Sequence, residues 1–196
     1  MNFLAHLYLS GDDPDIRIGN FIGDFVKGRN PEGQFPARVA LGIQAHRLID
    51  QFTDAHPLVR SSKDRIRAKY RHYSGVIVDI YYDHFLARQW ADHHPVPLNE
   101  YAQAVYRQVR EQEKIVPERA MNMLPWMEKG DWLTNYAHVE GIRRVLTGMS
   151  RRTPYASGME HAAEDLMEHY EGLEDEFNRF LPEVKEACRE FISFAP

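Results

Sequence analysis

The stretch VIVDIYYDHFLARQW, Val76–Trp90, decides how the rest of the chain is read. On a helix each residue advances by about 100°, so Val76, Tyr82, Leu86 and Trp90 share an arc about 120° wide. Asp79 and Asp83 fall inside that arc, and a helix here aims two carboxylates at the core. A β-strand reading suits the β-branched and aromatic residues of VIVDIYY. Its alternation is poor, however, and DHFLARQWADHH continues with no turn signal, so the stretch is read as helix. Burying an unpaired carboxylate is costly, and two at i, i+4 repel each other. A cation between them offsets both costs, and His84 lies near the edge of the same face. The segment therefore reads as half of a metal site; the alternative is a pair of buried salt bridges to arginines on other helices.

Outward from this element the pattern stays helical. Asn2–Leu9 is a short apolar segment carrying His6. Asp12–Asp15 reads as a turn and cap before a helix to about Lys27, stopped by Gly28, and Arg29–Phe35 is loop. Pro36 opens a long helix to about Asp54, His56-Pro57 breaks it, and a basic helix runs to about Tyr70. His94–Pro97 is loop, and a helix follows from about Asn99 to Lys114. Pro117–Lys129 should kink or break at Pro125, and Gly130-Asp131 is a turn. His138–Met149, Glu160–Phe180 and Pro182–Phe194 complete an all-α, single-domain bundle of seven to nine helices over residues 1–196.

The 196 residues can bury a substantial core, and 43% hydrophobic with 27% charged residues is an ordinary globular composition. Cys188 is the only cysteine, which excludes an intrachain disulfide and a cysteine-rich zinc site. The N-terminus has no basic leader region, and no stretch approaches the roughly 18 apolar residues of a membrane span. A cytoplasmic protein with no membrane or nucleic-acid partner is expected. The net charge of −5 is uneven, with eleven acids against three basic residues between Glu160 and Glu190. The strongly basic stretch is Arg60–Arg71, with Arg60, Lys63, Arg65 and Arg67 at its start; taken alone it reads as a solvated helix face.

Polar residues recur on apolar faces elsewhere. His46 and Asp50, at i and i+4, share an arc with Val39, Ile43 and Ile49. Asp24 sits in GNFIGDF beside Asn20 (i−4) and Phe21, after glycines at 19 and 23 that permit close approach, and His6 interrupts FLAHLYL. A lone histidine on an apolar face is more often a hydrogen-bonded core residue; one followed a turn later by a carboxylate, in a chain that repeats the device, points to metal. The mixture of imidazole and carboxylate without thiolate suits Mn²⁺, Mg²⁺ or Fe²⁺. The chain has no Glu-x-x-His, no His-Glu-x-x-His, no P-loop and no Gly-x-Ser-x-Gly, which leaves metal-assisted hydrolysis.

MNFLAHLYLS, GNFIGDFVKG, the run from Gly42 to Pro57 (GIQAHRLIDQFTDAHP) and DIYYDHFLA together resemble the acyl carrier protein phosphodiesterases, and the similarity extends over nearly the whole chain. The resemblance implies a cytoplasmic Mn²⁺-dependent hydrolase that removes the 4′-phosphopantetheine arm from the serine of holo acyl carrier protein. It also implies a distant relation to the helical HD phosphohydrolases, although the chain has no His-Asp dipeptide. The helix-face argument, and not a transferred motif, expects His6, Asp24, His46, Asp79 and Asp83 as metal ligands, with Asp50 or His84 positioning water or protonating the leaving oxygen. Arg60, Lys63, Arg65 and Arg67 are expected to receive the small, acidic carrier protein. The alternatives are an HD-type nucleotide phosphohydrolase and a non-catalytic helical binding protein.

Overall fold

Every regular element in the computed structural model, which describes residues 1–195, is helical. Asn2 caps α1 (Phe3–Leu9), accepting the Phe3 N–H, and all of α1 except Phe3 is buried. The Asp13 carboxylate accepts the Asp15 and Ile16 N–H groups, and Pro14 fills the first turn of α2 (Pro14–Ile22). Pro36 precedes α3 (Ala37–Ala55), and Pro57 opens α4 (Pro57–Tyr70). The central stretch forms α5 (Ser74–Arg88), followed by the single turn α6 (Trp90–His93). Then come α7 (Leu98–Glu111), α8 (Glu118–Lys129), α9 (Trp132–Asn135), α10 (Val139–Ser150), α11 (Ala162–Glu168) and α12 (Tyr170–Ser193). These twelve segments exceed the seven to nine expected because short turns such as α6 and α9 stand apart from their neighbours.

Three departures from the sequence reading have physical causes. First, α2 stops at Ile22, not near Lys27, and a 3₁₀ turn (Gly23–Phe25) follows it. Second, α8 runs through Pro125, where a kink or break was expected, and α12 through Pro182, where two helices were expected. An interior proline forfeits one helical hydrogen bond, a cost of about 3 kcal/mol. Burial of Leu124 and Met127 beside one proline, and of Phe180, Leu181 and Val184 beside the other, offsets it. Third, α5 has no single buried face: Ile77, Val78, Ile80, Tyr81, Phe85 and Ala87 are buried along with Tyr82, Asp83 and Leu86. A helix apolar all round is a central one. Helices α1, α4, α10 and α12 pack around it, and a continuous core joins them.

The contact that positions the site is the crossing of α2 over α3, where two glycines meet. A Cβ on Gly19 would lie 2.0 Å from the Val39 carbonyl oxygen, and one on Gly42 would lie 2.1 Å from that of Ile16. Only glycine at both positions lets the backbones approach this closely. Among the described residues, no helix is long and apolar enough to cross a membrane.

Candidate metal centre

Helix α3 carries His46 and Asp50 one turn apart, and the glycine crossing lays α2 and its 3₁₀ extension over them. His46 Nδ1 donates to the Asn20 carbonyl oxygen at 2.9 Å. Its Nε2 is thereby turned toward Asp24 Oδ1 at 3.3 Å and Asp50 Oδ2 at 3.2 Å. His6 arrives from α1 with the same arrangement: Nδ1 donates to Asn20 Oδ1 at 2.9 Å, and Nε2 lies 3.2 Å from Asp50 Oδ1. The amide nitrogen of Asn20 donates to the His6 carbonyl (2.8 Å) and Ser10 Oγ (2.9 Å), which orients its oxygen toward the ring. One fully buried asparagine thus sets the tautomer of both histidines and turns both Nε2 atoms toward the carboxylates. Gly23 makes room for this, since a Cβ there would lie 2.2 Å from His46 Cγ.

The two imidazoles stack with centroids 4.1 Å apart. His6, His46 and Asp50 offer ligand atoms within 4.8 Å of one another, and Asp24 joins through His46. Burial opposes a charge on His46, but hydrogen bonds to Asp24 and Asp50 outweigh it and raise its pKa to about 9. Burial, the neighbouring His46 and the N-terminal ammonium lower that of His6, against its bond to Asp50. Asp24 is held low chiefly by its bond from His46; Asp50 is lowered despite burial by bonds from both rings. Without metal the cluster therefore holds one imidazolium proton between two carboxylates. The donor set fits a divalent cation: two imidazole nitrogens and two carboxylates, hard to borderline in character, whose negative charge the lone proton does not balance.

The cluster opens into a cavity of about 420 Å³ that Thr53, Asp54, Val76 and Asp79 also line. Thr53 Oγ1 is buried and has no hydrogen-bond partner among the described residues.

Of the seven site residues expected from sequence, the structure brings together His6, Asp24, His46 and Asp50. Asp50, expected as a proton carrier, stands between the two imidazoles. Asp79 lines the same cavity but accepts from the Met1 ammonium at 2.8 Å, which supplies the compensating cation. Asp83 is not at the cluster. It is wholly buried and accepts the backbone N–H groups of Asn2 (3.2 Å), Leu4 (2.8 Å) and Ala5 (3.2 Å), anchoring the first turn of α1. His84 is elsewhere too, with Nδ1 donating to the Tyr136 carbonyl (2.7 Å) and Nε2 beside the Tyr170 hydroxyl (3.2 Å).

The basic stretch is largely committed within the chain. Arg65 pairs with buried Glu176 (2.8 Å) and Arg67 with Asp64 (2.9 Å). Lys63 reaches Asp54 (3.5 Å) on the cavity rim. Arg60 is exposed and makes no ion pair among the described residues. Asn20, Gly23 and Thr53 escaped the sequence reading as site residues. The available signal was GNFIGD, where Asn20 lies one turn before Asp24, but its two histidine partners come from other helices.

Residues 1–184 match the family described as acyl carrier protein phosphodiesterase. The chain is 36% identical over 185 residues to the "Acyl carrier protein phosphodiesterase" of Klebsiella pneumoniae subsp. pneumoniae, covering 94% of this chain and 95% of that one. The Escherichia coli protein of the same name is 37% identical over 187 residues (95% and 96%), and that of Yersinia pestis 37% over 185 residues (93% and 94%). No solved structure matches. Matched over most of its length by the family and by these relatives, the chain belongs to the acyl carrier protein phosphodiesterases.

Proposed function

We propose that this hydrolase cleaves the phosphodiester of holo acyl carrier protein, releasing apo carrier and 4′-phosphopantetheine, and that it does so with Mn²⁺ at the His6–His46–Asp50–Asp24 cluster. The observation that carries the metal reading is the pair of histidines whose Nδ1 atoms Asn20 occupies and whose Nε2 atoms converge on shared carboxylates. A core histidine would need no such convergence. Mixed imidazole and carboxylate donors favour Mn²⁺ or Fe²⁺ over Mg²⁺, which prefers oxygen and retains water.

A divalent cation there would supply Lewis acidity, polarising a phosphoryl oxygen and lowering the pKa of water. The protein's part is positional. Asn20 keeps both histidines neutral at Nε2 when the cation is present. Attack of water on phosphorus breaks the bond to the serine oxygen, which leaves with the apo carrier. Arg60 is the part of the basic stretch left to meet an acidic carrier.

Incubating the protein with holo acyl carrier protein, with and without Mn²⁺, and weighing the carrier by mass spectrometry tests this reading. Metal-dependent loss of the arm, abolished in Asp50→Ala, is the expected result. Wild-type protein that leaves the carrier intact in Mn²⁺, Mg²⁺ and Fe²⁺ would sink it.

A further inference from the structure

Beside the metal cavity lies a second one of about 430 Å³, and Asn2, Phe3 and Met149 line both. The two differ in chemistry. Four aspartates line or join the first, whereas no acid lines the second. Phe3, Met123, Trp132, Val145 and Met149 form its apolar wall, and Arg144 from α10 and Arg152 from the turn after it stand at it, both exposed. Its polar group of note is the Tyr136 hydroxyl. Tyr136 is 1% exposed; its oxygen accepts from Asn2 Nδ2 at 3.3 Å and donates to nothing among the described residues.

We propose that this second cavity receives the uncharged pantetheine arm of the substrate while the phosphodiester lies in the first. The inference rests on the reading of the protein as a phosphodiesterase of holo carrier. The substrate has the same polarity sequence as the paired cavities: an anionic diester, then a chain with a geminal dimethyl group, two amides and a thiol. The diester would meet the divalent cation that the cluster is proposed to hold, the dimethyl and thioethyl portions match the apolar wall, and an amide carbonyl matches the unused Tyr136 hydrogen. A volume of about 430 Å³ falls in the range of roughly 300–1,000 Å³ for pockets that bury a small flexible ligand. Asn2, Phe3 and Met149 line both cavities, so the two adjoin, as a substrate that spans them requires.

Gly148 lets this be tested without disturbing the fold. It lies within α10 on the wall of the cavity, and a Cβ there would meet only Arg152 Nη2, at an ordinary 3.6 Å. Gly148→Leu fills the space, and Gly148→Ala, favoured in a helix, controls for backbone effects. Three readouts are compared with Mn²⁺ present: hydrolysis of holo carrier, hydrolysis of bis(p-nitrophenyl) phosphate, and inhibition of holo-carrier cleavage by free pantetheine. Gly148→Leu is expected to lower kcat/KM on holo carrier at least tenfold and weaken pantetheine inhibition likewise. Turnover of the small diester should stay within twofold of wild type, and Gly148→Ala should resemble wild type throughout.

Wild-type kcat/KM on holo carrier in Gly148→Leu, or equal inhibition of both enzymes by pantetheine, would overturn the arm subsite while leaving the phosphodiesterase reading intact. Equal loss on both substrates would assign the cavity a structural role and also overturn it. Wild-type protein inactive on holo carrier would instead remove the premise.

Discussion

Asp83→Asn tests whether the buried carboxylate of α5 acts as an anchor for α1. Burial raises its pKa from an ordinary 3.8 to about 7, against the N-terminal ammonium and the three N–H groups that favour the anion. Because the folded pKa is the higher, the folded state binds an extra proton between those values. The stabilisation is full below 3.8 and is lost as pH rises through about 7. The interval corresponds to about 4 kcal/mol. Asparagine does not titrate, and its amide nitrogen cannot accept one of the three N–H groups, a loss of about 1–3 kcal/mol. Wild type should therefore be the more stable by about 2 kcal/mol near pH 4. The gap should close or reverse near pH 8, moving by up to about 4 kcal/mol. Urea unfolding of both proteins, followed by far-UV circular dichroism in chelator, measures the difference, and other titrating groups cancel in it. A gap constant across that range would refute the reasoning. A gap that widens with pH would mean that the three N–H groups hold Asp83 ionised.

Other perturbations bear on the cluster and its supports. His46 keeps its proton up to about pH 9 because Asp24 and Asp50 hold it. Metal must displace that proton, so apparent Mn²⁺ affinity by calorimetry should fall about tenfold per pH step below 9; a flat profile from pH 7 to 9 would exclude His46 as a ligand. Gly23→Ala drives a methyl into the His46 ring, and should weaken Mn²⁺ binding at least tenfold with helical dichroism preserved. Glu176→Ala removes the partner of Arg65, whose side chain is 36% exposed, and one acceptor each from exposed Ser61 and from Ser62, which keeps Tyr82. It should cost about 2–4 kcal/mol in urea unfolding, less than a fully buried pair, with metal affinity unchanged. Arg60→Glu should raise KM for the carrier several-fold at low salt, with little effect at about 1 M salt, where the Debye length is about 3 Å; a loss of kcat would place Arg60 nearer the chemistry.

The sequence by itself determined the helical class, because apolar residues at a spacing of 3–4 recur from Asn2 to Phe194 and local periodicity needs no partner. It also singled out the polar intrusions, since a His or Asp on an apolar face is visible in one dimension. What it could not assign was the compensating group for each. Asp83 and His46 look alike in sequence, each a polar residue amid aliphatics. One is satisfied by the first-turn N–H groups of α1 and the other by Asn20 and two carboxylates. Apart from Asp50, one turn from His46, those partners are 22 to 81 residues distant in the chain, and only the crossing at Gly19 and Gly42, with α1 laid on α5, chooses among them. The same holds for Pro125 and Pro182: local propensity ends a helix there, and tertiary burial of the flanking apolar residues carries it through. Asn20 was legible as a neighbour of Asp24. That it orients two histidines from two other helices is a property of the packing alone.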